Sequence, residues 1–127
     1  MNTDFLEQLQ FNTQGLIPAI AIDFDTNEVL MMAWMNKDSL IETLTTKQVC
    51  YWSRSRNNFW RKGETSGNQQ QLIEILTDCD MDTLLLKVKQ KGAACHTGRR
   101  SCFYNKITNN GIVITSEPIQ NPKELYK

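Results

Sequence analysis

The stretch QLIEILTDCDMDTLLLKVKQ, residues 71–90, carries two strand patterns around a short acidic centre. In TLLLKVKQ (83–90), Leu84, Leu86 and Val88 fall on one side of an extended chain, and Leu85, Lys87 and Lys89 on the other. That two-residue period belongs to a half-buried strand. QLIEILT (71–77) alternates well enough for a second strand, and DCDMD (78–82) joins them. Outward from this unit, IPAIAI (17–22) and VLMMAW (29–34) read as strands joined by the turn-prone DFDTNE. Asn36 suits the N-cap of a helix running to about Thr46, with Asp38 in its first turn and Leu40, Thr43 and Leu44 on one face. VCYWS (49–53) is a short β-branched and aromatic strand, and GIVIT (111–115) a late one. RKGETSGNQ (61–69) and KGAACHTGRRSCFY (91–104) read as glycine-containing loops. The polar tail after residue 117 is expected to be loosely held. Many strands, one clear helix and few long crossovers predict an α+β fold. It should be a mainly antiparallel sheet in one compact domain spanning residues 1–127.

A chain of 127 residues builds one core, not two. Its 14 basic and 14 acidic side chains cancel, which argues against general binding to nucleic acid through phosphates. Any anion recognition must come from local clusters. The N-terminus MNTDFLEQLQFN lacks the basic and apolar regions of a secretion signal, and no apolar run has the length of a membrane helix. A cytoplasmic protein is expected, in which thiols stay reduced. The four cysteines, Cys50, Cys79, Cys95 and Cys102, therefore read better as metal ligands or reactive groups than as two disulfides.

Context separates them. Cys50 lies inside an apolar strand and is expected to be a plain buried thiol. Cys79, Cys95 and Cys102 lie in polar, charged segments, and three thiolates with one open position make a hydrolytic zinc site. Asp78, Asp80 and Asp82 alternate around Cys79. In an extended chain their carboxylates would share one face, opposite Cys79, and as hard oxygen donors would suit magnesium. The other reading is a solvated acidic turn closing a hairpin. His96, the only histidine, is either a fourth ligand or a proton carrier beside the metal; the second is favoured because three thiolates already suffice.

A second constellation addresses anions. In WSRSR (52–56) Arg54 and Arg56 would share a face of an extended chain, and arginine forks match phosphate oxygens. Lys62, Glu64, Ser66 and Asn68 of the following loop add donors and acceptors for a phosphate cradle, though without a Walker pattern. Trp52 and Trp60 either stack on a base or fill the core. Beside a hydrolytic metal, these groups point to a small phosphorylated, aromatic substrate.

Five segments in this order, VLMMAWMN, YWSRSR, FWRKGETSGNQQQ, DCDMD and ACHTGRRSCF, resemble the phosphoribosyl-AMP cyclohydrolase family over about residues 20–105. Members of that family open the adenine ring in histidine biosynthesis. The resemblance implies one zinc per subunit on Cys79, Cys95 and Cys102. That site would be shared across an intertwined homodimer, with Cys79 from one subunit and the other two from its partner. It also implies one magnesium per subunit on Asp78, Asp80 and Asp82, proton transfer by His96, and phosphoribosyl-AMP as substrate, with Trp52, Arg54, Arg56, Lys62, Glu64, Ser66 and Asn68 as contacts. Some members carry a second domain that hydrolyses phosphoribosyl-ATP; at this length only the cyclohydrolase activity is expected. Lys47 departs from the glycine common after the helix, so the turn there is expected to differ.

Two rival readings are weaker. A zinc-stabilised RNA-binding module would close its metal with four ligands and bind with a steep salt dependence. A cytidine-deaminase-like hydrolase needs H-x-E and P-C-x-x-C, and neither occurs.

Overall fold

The computed structural model describes residues 1–126. After a short 3-10 turn (Asp4–Gln8) come β1 (Ile17–Asp23), β2 (Val29–Met35), α1 (Lys37–Thr46), β3 (Cys50–Ser53), β4 (Asn58–Arg61), β5 (Gln70–Thr77), β6 (Leu84–Gln90), β7 (Asn105–Thr108), β8 (Gly111–Ile114) and the short α2 (Pro122–Leu125). Six strands form one sheet in the order β4-β3-β2-β1-β6-β5, while β7 and β8 make a separate ribbon. Within the six-stranded sheet only β1 and β6 run parallel. The fold is α+β, mainly antiparallel, and a single compact domain, as expected.

Alternation decides the core. Ile17, Ala19 and Ala21 of β1 and Leu84, Leu86 and Val88 of β6 are buried side by side, in a register pairing Ala19 with Leu84 and Ala21 with Leu86. Leu30 and Met35 from β2, Leu40 from α1 and Tyr51 from β3 complete the cluster. The helix starts on a capping box, in which Ser39 N donates to Asn36 Oδ1 (2.8 Å) and Asn36 N to Ser39 Oγ (3.0 Å). It docks through Thr43, whose buried hydroxyl accepts from Cys50 N at 2.9 Å. At its end Lys47 adopts the left-handed conformation (φ 62°) that glycine would take. The turn therefore keeps its form at a backbone cost of about 1–2 kcal/mol.

Beyond Lys47 the sheet curls onto itself. Val49 N donates to Gln70 O (3.0 Å) and Leu72 N to Lys47 O (2.8 Å), so the approach to β3 meets the start of β5. The outer edge of β5 is thereby partly covered at its start, which lowers its tendency to pair with other chains.

Several local expectations need correction. Of the two readings of DCDMD, the acidic turn closing a hairpin stands and the extended chain does not: Asp78 Oδ1 accepts from the N–H groups of Asp82 (3.0 Å) and Thr83 (3.2 Å), and Met81 turns left-handed (φ 61°). Arg54 and Arg56 also sit in a turn, closed by Asn57 at φ 50°, so they do not share a strand face. That turn begets β4, which the sequence reading left out, as it did β7. The tail is tethered: Ile119 N donates to Gly98 O (2.8 Å), and Gln120 Oε1 accepts from Ala93 N (2.8 Å).

Candidate metal and substrate site

Cys95 and Cys102 stand at the two ends of a loop fastened on all sides. Ala94 N donates to Arg100 O (3.0 Å), Cys95 N to Arg99 O (3.1 Å) and Gly98 N to Cys95 O (3.0 Å), folding the loop into a narrow tongue. Gly98 (φ 88°) is required at its tip, because a Cβ there would overlap the Gln120 carbonyl. Cys102 N donates to Leu30 O (2.7 Å), and Ser101 Oγ to Val29 O (2.7 Å), fixing the return limb on β2. Arg100 spans the base: Nη1 donates to Gln90 O (3.1 Å) and Gly92 O (2.9 Å), Nη2 to Asp23 Oδ1 (2.9 Å). Burial pushes the Asp23 carboxyl up, but hydrogen bonds from Thr26 and the Arg100 charge outweigh it and hold the group below its ordinary value.

The two thiols are neighbours. Cys95 is buried and accepts from Thr97 Oγ1 at 3.1 Å. Cys102 is pushed up to about 12, first by burial, then by the adjacent Cys95, against a downward pull from Lys62. Cys102 so raised stays protonated at neutral pH unless a cation displaces the proton. Two soft donors in contact, held by backbone bonds, suit a thiophilic metal such as zinc. Cys50, by contrast, is buried in β3 and likewise pushed up to about 12 by burial and by Glu42, as a plain core thiol would be.

Cys79 is elsewhere. It is exposed at the β5–β6 turn. Among the described residues the one convergence of three or more metal-type side chains is Asp78, Asp80 and Asp82, with ligand atoms all within 4.8 Å of one another. Cys79, Cys95 and Cys102 therefore do not converge within a single chain. The aspartates gather through the turn, and not through strand alternation. Asp82 is raised by its hydrogen bond with Asp78, then by burial and by the charges of Asp78 and Asp80; Asp78, though burial pulls the other way, is lowered by hydrogen bonds from Asp82 and Thr83. Of the described residues, these three carboxylates are the group that could hold a hard cation.

Two clefts share the wall formed by Trp60. The larger, about 830 Å³, is lined by Trp34, Trp52 and Arg54. The Arg54 guanidinium lies 4.7 Å from the Trp34 ring centre. The smaller, about 250 Å³, brings exposed His96 together with Arg56, Lys62, Glu64 and Ser66. Asn68 lines neither: its Nδ2 donates to Ala93 O (3.1 Å) and Gln120 Oε1 (2.8 Å), holding the 62–69 loop to the cysteine loop. Sequence reasoning missed Trp34 and Arg100. Trp34 sits on the outer face of β2 with exposed Met32, two residues away, an apolar pair on the side that alternation assigns to solvent. That was its available signal. Arg100 had none, since its partner Asp23 lies 77 residues away.

Residues 31–104 match the family model described as phosphoribosyl-AMP cyclohydrolase. Relatives bearing that name include one from Halorhodospira halophila, 59% identical over 121 residues, 95% of this chain and 85% of the relative. Another, from Granulibacter bethesdensis, is 57% identical over 125 residues, 98% of both chains. A third, from Chlorobium phaeovibrioides, is 53% identical over 127 residues, 99% of this chain and 93% of the relative.

Proposed function

The chain belongs to the phosphoribosyl-AMP cyclohydrolase family, and from that premise we propose that it hydrolyses phosphoribosyl-AMP at the N1–C6 bond of the purine. The product is the phosphoribosyl-formimino-aminoimidazole carboxamide ribotide, in the third step of histidine biosynthesis. The enzyme is a cyclic amidine hydrolase dependent on zinc, with magnesium as second metal, one of each per subunit. It acts as a homodimer in the cytoplasm, with neither nucleic acid nor a membrane as partner. No helix among the described residues is long and apolar enough to cross a membrane.

One observation carries the reading: buried Cys95 meets half-buried Cys102 without a third thiol among the described residues, while an exposed thiol waits among three converging carboxylates. A shared site reconciles them, Cys79 coming from one subunit and Cys95 with Cys102 from the other. Exposed apolar surface supports pairing of chains. Ile107 is 83% exposed and Ile112 68%, and Ile73 and Leu76 on β5 are also uncovered.

When bound by three thiolates with one position open, zinc supplies an acidified water for attack on C6. His96, next in sequence to Cys95 and on the wall of the smaller cleft, gives a proton to N1 as the ring opens. Trp34 and Trp52 offer faces for the purine, and Arg54 and Arg56 stand on either side to take the two phosphate arms. Glu64 and Ser66 line the second arm's cleft. Asp78, Asp80 and Asp82 would hold magnesium, which would supply positive charge for a phosphate of the substrate.

An absorbance assay with phosphoribosyl-AMP tests the reading directly. Ring opening should occur with metal-replete protein, stop after zinc chelation and return when zinc is restored. Metal-replete protein that leaves the substrate intact would sink it.

A further inference from the structure

Lys62 lines the smaller cleft, yet its ammonium is turned inward. The residue is 5% exposed, and Nζ donates to Ala94 O at 2.6 Å, one residue before Cys95. Its other near neighbour is the Trp60 ring, whose centre lies 5.4 Å away. One carbonyl does not satisfy three ammonium donors, and a buried cation needs a compensating anion. No carboxylate forms an ion pair with it among the described residues. The carbonyl it meets belongs to the residue before Cys95, so the ammonium is docked on the loop that carries Cys95 and Cys102. Burial holds its proton affinity below the ordinary lysine value, against a smaller opposite pull from Cys102 and Cys95. A phosphate contact of the kind the sequence suggested would require Nζ to leave this pocket.

We infer that Lys62 is the built-in counter-ion of the Cys95–Cys102 pair, a positioning residue that holds a fixed positive charge against the two sulfurs in their anionic, zinc-binding form. This rests on the zinc reading above. Three thiolates around a divalent ion leave one net negative charge by formal counting, in a partly buried site. An ammonium tethered by the Ala94 carbonyl offsets that charge without occupying a ligand position. It also draws electron density off the sulfurs, which leaves the metal a stronger Lewis acid.

The test compares Lys62→Met, which removes charge and donor, with Lys62→Gln, which keeps a donor for Ala94 O and removes only the charge. Zinc affinity is measured by competition with a chromophoric chelator, and the sulfur-to-metal charge-transfer band is recorded with cobalt in place of zinc. Both variants should lose about 10- to 100-fold in zinc affinity, the range for partners lying just outside a metal's ligands. Their cobalt bands should move to longer wavelength, because sulfurs without a nearby cation give up electrons more easily. Wild-type affinity and band position in Lys62→Gln would make Lys62 a strut for the loop and overturn the inference, as would wild-type behaviour in both variants. Should neither fold by circular dichroism, the unsubstituted protein labelled with 15N-lysine decides: the Lys62 Nζ resonance must move when zinc is added, and an unmoved resonance overturns the inference. Unsubstituted protein that takes up no zinc fails the zinc reading itself, an outcome visible before any variant is made.

Discussion

Cys95 and Cys102 sit in a loop bonded to β1, β2, β6 and the C-terminal tail, whereas Cys79 sits on an exposed turn whose polar contacts are almost all its own. The first region uses burial. Its Cys102 thiol is raised, its backbone is fixed, and a lysine and an arginine are locked beneath it. The second uses charge, with three carboxylates crowded in solvent around a left-handed Met81. A buried, rigid region can be organised in advance of its metal. An exposed cluster of like charges is organised by what binds it. The proposed centre joins one region of each kind, from different subunits, so that the rigid half defines the geometry and the solvent-facing half arrives with the partner.

Mixing variants tests that division most severely. Cys79→Ala and Cys95→Ala should each lose all measurable ring opening. Mixed and refolded together, they should regain about a quarter of wild-type activity, because half of the dimers are mixed and each of these has one whole site of two. The same mixture should bind a corresponding fraction of zinc. No recovery in samples whose subunits have exchanged would place all three thiols in one chain's site and dissolve the contrast between the halves.

A smaller effect should follow from loosening the rigid half. Asp23→Asn keeps the shape of the side chain but removes the charge that holds Arg100. The expected loss is about 2–3 kcal/mol of stability, at the low end for a buried pair because the Arg100 side chain stays 30% exposed. The sign with pH follows from the lowered Asp23 carboxyl. On lowering the pH, the unfolded chain takes up this proton first, near its ordinary value, so the pair's contribution is intact above about pH 4 and is lost as pH falls through the folded-state value. Wild type and Asp23→Asn should therefore differ most near neutrality and converge in acid, as measured by urea unfolding at several pH values. A constant gap across that range would show that the carboxylate's charge contributes nothing to holding the loop.

How far the sequence reveals this molecule depends on whether a residue's role is local. Alternation in Leu84, Leu86 and Val88, and the Asn36 cap, are written in adjacent residues, and both stand in the fold as read. The turns at 54–57 and 78–82 were harder. Strand-like neighbours extend the pattern across 54–57, although Asn57 is a residue type that tolerates its left-handed conformation. At 78–82 both a turn and an extended chain fit the residues, and Met81 gives no sign of the left-handed conformation it adopts. Long-range partnerships left no trace at all: Asp23 with Arg100, Gln120 with Ala93, and Lys62 with Ala94 are separated by 77, 27 and 32 positions. The candidate ligands were legible because metal chemistry narrows the residue types. The orientation of Lys62 was not, since a lysine in a glycine-containing loop reads as a solvent-facing donor until the carbonyl it meets is known.

The finest test concerns the exposed half alone. Met81 holds φ at 61°, donates its N–H to Asp78 O (3.1 Å) and accepts from Gln10 N (2.7 Å), so its backbone is fixed from both sides. A non-glycine residue there costs about 1–2 kcal/mol. Met81→Gly relieves that cost and returns part of it as greater freedom of the unfolded chain, roughly 0.5–1 kcal/mol. The net should be a gain of about 0.5 kcal/mol, read as a small rise in unfolding temperature. The side chain is 37% exposed, so little packing is forfeited. If magnesium organises the aspartates, the concentration giving half-maximal activity should stay as in wild type, because the ion and not Met81 decides where the carboxylates sit. A severalfold rise in that concentration, with stability unchanged or higher, would mean that the turn is arranged before the ion binds. The exposed half would then be pre-built in the same sense as the cysteine loop, by backbone instead of burial.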